Sequence, residues 1–312
     1  MRKKNILITW HYLLPLKIKY KKLLNKNNIT FNIKSINPSL NERQLIKIID
    51  KYDGIICGDD EINKNVIDKA IKLKVISKWG TGLNSIDVIY AKKKGIKVYN
   101  SPKAFVESVT VYAFGLLINL SRGLFKIHSL VKKNKWKKYS GIELKNKNLG
   151  IIGFGNIGKN IARVARAFGM NILINDINKK LRSKALKNGY SFISKEKILK
   201  KSDFLILATD LNITSYHLLS FKEFKIIKKN LILINISRGQ VIHEVALVKN
   251  VKNKKIGGIG LDVFENEPLA KNHIFKKFQN AILGSHNAFN TQEAVNRTND
   301  DCVLSLIKGL KK

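Results

Sequence analysis

Leu149-Gly150-Ile151-Ile152-Gly153-Phe154-Gly155-Asn156-Ile157-Gly158 joins an apolar run to a G-x-G-x-x-G. The run reads as a buried strand. Asn156 to Phe168, with Ile161, Ala162 and Ala165 on one face, reads as the helix that follows it. Each glycine has its own task in such a unit: Gly153 permits the tight turn, Gly155 lets the backbone approach a pyrophosphate, and Gly158 allows the helix to pack on the sheet. The helix N-terminus, at Asn156 and Ile157, adds N–H groups that lack intrahelical partners. The next strand ends at Asp176, eighteen residues after Gly158. A carboxylate there accepts hydrogen bonds from an adenosine ribose diol and repels a 2′-phosphate. The pattern therefore predicts NAD over NADP, with Lys179 and Lys180 softening the repulsion.

On either side of this stretch, short apolar runs alternate with helical patterns, the mark of an α/β fold with parallel sheets. Before it, strands are expected at Asn5–Thr9, Gly54–Cys57, Val75–Lys78 and Lys97–Tyr99, and helices at Asn41–Lys51 and Ile62–Leu73. A long, largely apolar helix is expected from Val106 to about Asn134. Strands follow at Asn148–Ile152, Asn171–Asn175, Phe204–Ala208, Leu231–Asn235 and Ile256–Leu261. The best boundaries lie near Pro102 and near His286, where the last strand ends. A chain of 312 residues suits two packed domains better than one.

Composition narrows the function. With 44% hydrophobic residues the chain can bury a large core, and two cysteines are too few for a disulfide framework or a Cys-rich metal site. A reducing cytoplasm is the natural setting. The basic start, Met1-Arg2-Lys3-Lys4, is followed by an apolar run broken at His11, without a cleavage site or a run long enough to span a membrane. The net charge of +37 would suit a polyanion, but Lys outnumbers Arg 51 to 8 and is spread along the whole chain. Lys, Asn and Ile share A/T-rich codons, so the excess reads as composition, and no specific nucleic-acid partner is expected. Asp59, Asp60 and Glu61 read as a solvated turn, with no cluster to make a metal site.

Three residues downstream suit hydride chemistry on a hydroxy acid. Arg238, in Asn235-Ile236-Ser237-Arg238-Gly239, can grip a carboxylate with two parallel charge-assisted bonds. His286, in Gly284-Ser285-His286-Asn287-Ala288, can take or return a hydroxyl proton. Glu267, in Leu261-Asp262-Val263-Phe264-Glu265-Asn266-Glu267-Pro268, can hold the imidazole and favour its charged form. Alone, an arginine after a strand is usually a surface ion pair and a histidine usually structural. Their joint occurrence, each in a turn after a strand of one parallel sheet, points to the crevice at the strands' carboxyl ends.

The order of these motifs resembles the D-isomer-specific 2-hydroxyacid dehydrogenases over nearly the whole chain, from about Asp53 to Asp301. Lys78-Trp79-Gly80-Thr81-Gly82-Leu83-Asn84-Ser85-Ile86-Asp87 is similar to that family's substrate loop, and Tyr99-Asn100-Ser101-Pro102 to its crossover between domains. The glycine fingerprint, Ser237-Arg238-Gly239, the run ending at Pro268, and His286 with Thr291-Gln292-Glu293-Ala294 complete the series. The resemblance implies two doubly wound parallel-sheet domains, with a Rossmann NAD-binding domain (103–286) inserted into a flavodoxin-like substrate domain (1–102 and 287–312). It also implies Arg238 as carboxylate clamp, Glu267 as the histidine's partner and His286 as acid/base. Asp262 would hold the nicotinamide carboxamide, Ile236 and Ser237 would line the cofactor, and the Thr81 and Gly82 amides would meet the substrate carboxylate. The side chains lining the substrate would come from Cys57–Glu61, Thr81–Ser85 and the surroundings of Phe105. A homodimer through the cofactor domain is the family habit.

This sequence also departs from the family. Thr110-Val111 lacks the usual acidic residue, Ser285 replaces the proline that commonly precedes the histidine, and Ala208-Thr209-Asp210 replaces a His-x-Pro. The expected activity is NAD-dependent interconversion of a small D-2-hydroxy acid and its 2-keto acid. Gly58-Asp59-Asp60 offers no cation for a phosphate, which favours hydroxypyruvate or glyoxylate. The alternatives are 3-phosphoglycerate dehydrogenation, the same fold acting on phosphite or formate, and a non-catalytic NAD-sensing scaffold.

Overall fold

Among the described residues every strand runs parallel to its sheet neighbours, in two separate sheets. The computed structural model describes residues 2–14, 17–34 and 39–311. Contacts divide the chain into one unit of Met1–Phe105 with Asn290–Lys312 and another of Val106–Phe289.

In the first unit β1 (Lys4–Ile8), β2 (Ile29–Ile33), β3 (Gly54–Cys57), β4 (Val75–Lys78) and β5 (Lys97–Tyr99) take the order β2-β1-β3-β4-β5. That is the flavodoxin-like arrangement, with its reversal of direction between β1 and β3. The central strands β3 and β4 are buried at every residue, as continuous apolar runs in a two-face-covered sheet require. The C-terminal helix Gln292–Lys311 packs on this sheet. Trp79 Nε1 donates to Asn299 Oδ1 at 2.6 Å, Ser77 Oγ donates to the Cys302 carbonyl, and the Arg297 guanidinium donates to the Ala104 carbonyl. Phe105 lies 5.5 Å from the Trp79 ring and so stays with this unit.

The second unit orders β6 (Asn148–Ile152), β7 (Asn171–Asn175), β8 (Ser191–Phe192), β9 (Phe204–Leu207), β10 (Leu231–Asn235), β11 (Ile256–Leu261) and β12 (Ala281–Leu283) as β12-β11-β10-β9-β6-β7-β8. Direction reverses between β6 and β9, the doubly wound dinucleotide-binding topology. Helix Asn156–Ala167 lays Ile161, Ala162 and Ala165, all fully buried, on this sheet.

Three expectations need correction. The long helix from Val106 breaks at Gly123 (φ +64) into Val106–Arg122 and Leu124–Val131, bent by 63°. A Cβ at Gly123 would lie 2.7 Å from the Tyr139 ring, so the kink needs glycine both for its φ and for that contact. The helices expected at Asn41–Lys51 and Ile62–Leu73 shrink to Glu42–Ile46, with a 3₁₀ turn at Ile49–Lys51, and to Lys64–Lys69. The Asp59–Glu61 turn is not wholly solvated. Asp60 is buried and accepts from Thr9 Oγ1 at 2.6 Å and from the Gly58 and Leu40 N–H groups at 2.8 Å. Among the described residues no single helix is long and apolar enough to cross a membrane.

Candidate active site

The turn after β6 shows which fingerprint glycines the fold itself requires. Gly153 has φ +98, and a Cβ there would lie 2.4 Å from the Ala208 carbonyl oxygen. At Gly158 a Cβ would lie 2.0 Å from the Gly153 carbonyl oxygen. Both are dictated by the close fit of turn, helix and neighbouring strand. Gly155 differs: its φ is an ordinary −71 and a Cβ would meet nothing within 4 Å. Among the described residues no contact demands glycine at the head of this helix, and the space beside it is open to a group that approaches the backbone from outside. A dinucleotide pyrophosphate fits that space, since it needs unobstructed N–H groups at a helix N-terminus. Asp176 closes the loop. Its Oδ2 accepts from Phe154 N and its Oδ1 from Asn178 N, both at 2.7 Å. Each carboxylate oxygen has a second acceptor position, so a fixed Asp176 can still take a ribose hydroxyl.

The turn after β10 is built around a residue the sequence reading passed over. Buried Asn235 accepts from both Ser237 N (3.0 Å) and Ser237 Oγ (2.7 Å), and donates to the Arg238 carbonyl (2.9 Å). The side chains of Ile236 and Ser237 are thereby kept inside, and Arg238 is half-buried with Nη1 on the Ser237 carbonyl. A Cβ at Gly239 would sit 1.8 Å from the Phe264 carbonyl carbon. The glycine after the arginine therefore lets this turn lie directly against the one after β11.

That neighbouring turn carries Glu267, whose Oε1 accepts from Phe264 N at 2.9 Å and whose Oε2 meets His286 Nδ1 at 2.7 Å. Burial pushes the Glu267 carboxyl up, but the His286 bond and charge, the Phe264 N–H and the nearby Arg238 charge outweigh it. The group is held below the usual carboxylate range. With Nδ1 committed to Glu267, the other ring nitrogen of half-exposed His286 is the one available for proton transfer. Asp262, expected to meet a carboxamide, is 1% exposed and accepts from Asn287 N (2.9 Å) and Ala288 N (2.8 Å), the two residues after the histidine.

Thr81 and Gly82 belong to the first unit, in the turn after β4. The carbonyls of Gly80 and Thr81 accept from Ser101 N and Asn100 Nδ2. No backbone carbonyl among the described residues accepts from Thr81 or Gly82 N–H. Sequence reading also missed Lys78, whose ammonium sits 2.9 Å from Asp59 with its side chain 5% exposed. Its signal was available: a lysine closing a short central strand after Val75, Ile76 and Ser77.

A family model for the NAD-binding domain of D-isomer specific 2-hydroxyacid dehydrogenases matches residues 114–288, more than half of the chain. The chain is 37% identical over 244 residues to a glyoxylate reductase of Thermococcus litoralis, covering 75% of this chain and 73% of that protein. It is 34% identical over 281 residues to a glyoxylate reductase of Thermofilum pendens, covering 88% and 83%. Among solved structures it is similar to the D-lactate dehydrogenase from Aquifex aeolicus complexed with NAD and lactic acid. That likeness has 27% identity and a TM-score of 0.87, and covers 98% of this chain and 96% of that one.

The two kinds of glycine should separate on mutation. Gly155→Ala is expected to leave the melting temperature unchanged while weakening NADH binding about tenfold or more, ~1.4 kcal/mol, in a fluorescence titration. Gly158→Ala, which forces a Cβ against a carbonyl oxygen, should cost ~1–3 kcal/mol of stability. Wild-type NADH affinity in Gly155→Ala would show that nothing approaches the backbone there.

Proposed function

The chain belongs to the D-isomer specific 2-hydroxyacid dehydrogenase family, and from that we propose that it reduces small unphosphorylated 2-keto acids, glyoxylate or hydroxypyruvate foremost, with Arg238, Glu267 and His286 as its working groups. The observation that carries this reading is the 2.7 Å Glu267–His286 pair beside Arg238, on turns from neighbouring strands of the dinucleotide-type sheet. The cofactor domain, expected at 103–286, would correspond to the unit Val106–Phe289, and the substrate domain to the remainder.

When bound, a nicotinamide dinucleotide would supply or accept the hydride. Gly153–Gly158 and Asp176 would hold the dinucleotide, with Ile236, Ser237 and Asp262 contributing around it. Arg238 clamps the substrate carboxylate through its planar fork, which orients the adjacent C2 carbon. In reduction, protonated His286 donates to the C2 oxygen, and in oxidation it removes the hydroxyl proton. Glu267 keeps the ring in place and stabilises its charged form at each turnover. Thr81 and Gly82 stand on the family resemblance, as further N–H donors to the carboxylate. Preference for an unphosphorylated acid is supported by Lys78, the cation beside the Gly58–Asp60 turn. Its charge is already met by Asp59.

A homodimer is part of this reading, and it has a surface to support it. Helix Leu124–Val131 buries none of its residues, and Phe125 and Trp136 are 62% and 86% exposed. An apolar helix left this exposed is the physical form of a contact between copies.

The direct test is NADH oxidation over a panel of glyoxylate, hydroxypyruvate, pyruvate and phosphohydroxypyruvate across a salt series. Long-range attraction by the +37 charge should favour all of them at low salt, the phosphorylated acid most steeply. At 1 M salt, where the Debye length is ~3 Å, an unphosphorylated acid should be the better substrate. A persisting preference for phosphohydroxypyruvate would overturn the substrate assignment. Arg238→Lys, which keeps charge but loses the fork, should cost ~2–4 kcal/mol in kcat/KM. His286→Ala should slow turnover ~10²–10⁴-fold, and near-normal turnover in either variant would remove that residue from the mechanism.

Asp176→Ala should weaken NADH binding and narrow the preference over NADPH, because an acceptor and a repulsive charge disappear together. A wild-type protein that already prefers NADPH would refute the assignment. Replacing Phe125 and Trp136 by Glu should convert a dimer to monomers in sedimentation velocity, and a dimer that persists would put the contact elsewhere.

A further inference from the structure

His286 sits at φ +56, in the left-handed region that a non-glycine side chain enters only at a cost. Such a conformation persists when its surroundings over-determine it, and here one residue does most of that. The Asp262 carbonyl accepts from His286 N at 2.7 Å, Asp262 Oδ1 from Asn287 N at 2.9 Å and Oδ2 from Ala288 N at 2.8 Å. Three successive N–H groups of the turn thus end on a single buried aspartate. Its carboxylate has one further donor, the hydroxyl of Tyr112 on helix Val106–Arg122. Burial, the Asp262 charge and this hydrogen bond push the Tyr112 phenol up to about 12, so it stays protonated and able to donate. The two groups close over Gly284, where a Cβ would lie 2.2 Å from Asp262 Oδ1 and 2.4 Å from Tyr112 Oη.

We propose that Tyr112 is a positioning residue for the acid/base histidine: by donating to Asp262 it locks the 284–288 turn in the conformation that lays His286 Nδ1 on Glu267. The inference rests on the role given to His286 above. The sequence shows why this chain needs such a lock. Ser285 stands where a proline would stiffen the backbone before the histidine, and Ser285 N–H donates to no backbone carbonyl among the described residues. Stiffness that the local sequence lacks is supplied across the fold by a phenol. The charged and titratable groups that bear on the turn are Glu267, Arg238, Asp262 and Tyr112. Of these, Tyr112 alone can be deprived of its polar atom without disturbing a charge.

The test is Tyr112→Phe in the full chain, with NADH and the preferred keto acid. We expect kcat to fall about tenfold, the equivalent of ~1.4 kcal/mol, while the NADH dissociation constant and the melting temperature hold. The His286 bond helps to hold the Glu267 carboxyl below its usual range, so a weakened contact lets it rise, and the acid limb of the kcat profile should move up. Ser285→Pro, a change that sacrifices no backbone hydrogen bond, should recover most of the loss in the Tyr112→Phe background. A readout independent of turnover is the ¹⁵N resonance of His286 Nδ1, assigned by its loss in His286→Gln. In the wild type it should report one fixed tautomer, and in Tyr112→Phe an average. Unchanged kcat, pH limb and resonance would overturn the proposal. So would a loss of activity that follows a lowered melting temperature, with no shift of the limb and no rescue by proline. If the wild type proves inactive on every keto acid, the function fails, while the resonance still decides whether Tyr112 fixes the turn.

Discussion

In a sheet whose strands all run one way, each strand delivers its following turn to the same edge. The consequences for this chain are concrete. The Gly153–Gly158 loop, Asp176, Arg238, Glu267 and His286 all follow strands of one seven-stranded sheet. Residues more than a hundred positions apart are thereby brought to a common border without any contact designed for that purpose. Hydride transfer needs a dinucleotide site, a carboxylate grip and a proton carrier close together, and the parallel topology supplies the neighbourhood.

Closeness within that border is set by absent side chains and by buried acceptors. Gly239 brings the arginine turn against the turn of Glu267, because any Cβ there would strike the Phe264 backbone. Asn235 folds the arginine turn from within, and Asp262 folds the histidine turn in the same way. Each is a buried polar side chain that must be satisfied, and each finds partners in the backbone of the loop it shapes, with Ser237 Oγ and the Tyr112 hydroxyl besides. The charges then follow. Glu267 is drawn toward its ionised form by His286 and Arg238 in spite of burial, so the imidazole faces a carboxylate at neutral pH.

Much of this was legible in the sequence, and the reason is locality. Interior strands such as β6 and β10 are unbroken apolar runs, and the turns that follow them carry glycines at positions fixed by local packing. Edge strands were harder. β2 is partly exposed and carries Thr30 and Asn32, and β8 has only two residues, so neither gives the apolar run of an interior strand. Gly123 hid inside an apolar helical pattern, where a single glycine does not announce a kink. Asp60 read as a surface acid because two of its partners, Thr9 and Leu40, lie far away in the chain. Lys78 and Tyr112 escaped for the same reason. A lysine at a strand end and a tyrosine in an apolar helix acquire meaning only from the carboxylates that the fold brings to them.

In the proposed reaction Arg238 would hold the carboxylate and His286 the C2 oxygen, and with the nicotinamide on one side these two contacts would fix which face of the carbon meets the hydride. The configuration of the product therefore reports on the whole arrangement. Pyruvate or hydroxypyruvate reduced with NADH and resolved by chiral chromatography should give the D-2-hydroxy acid alone. The L-isomer, or a racemic product, would contradict the account.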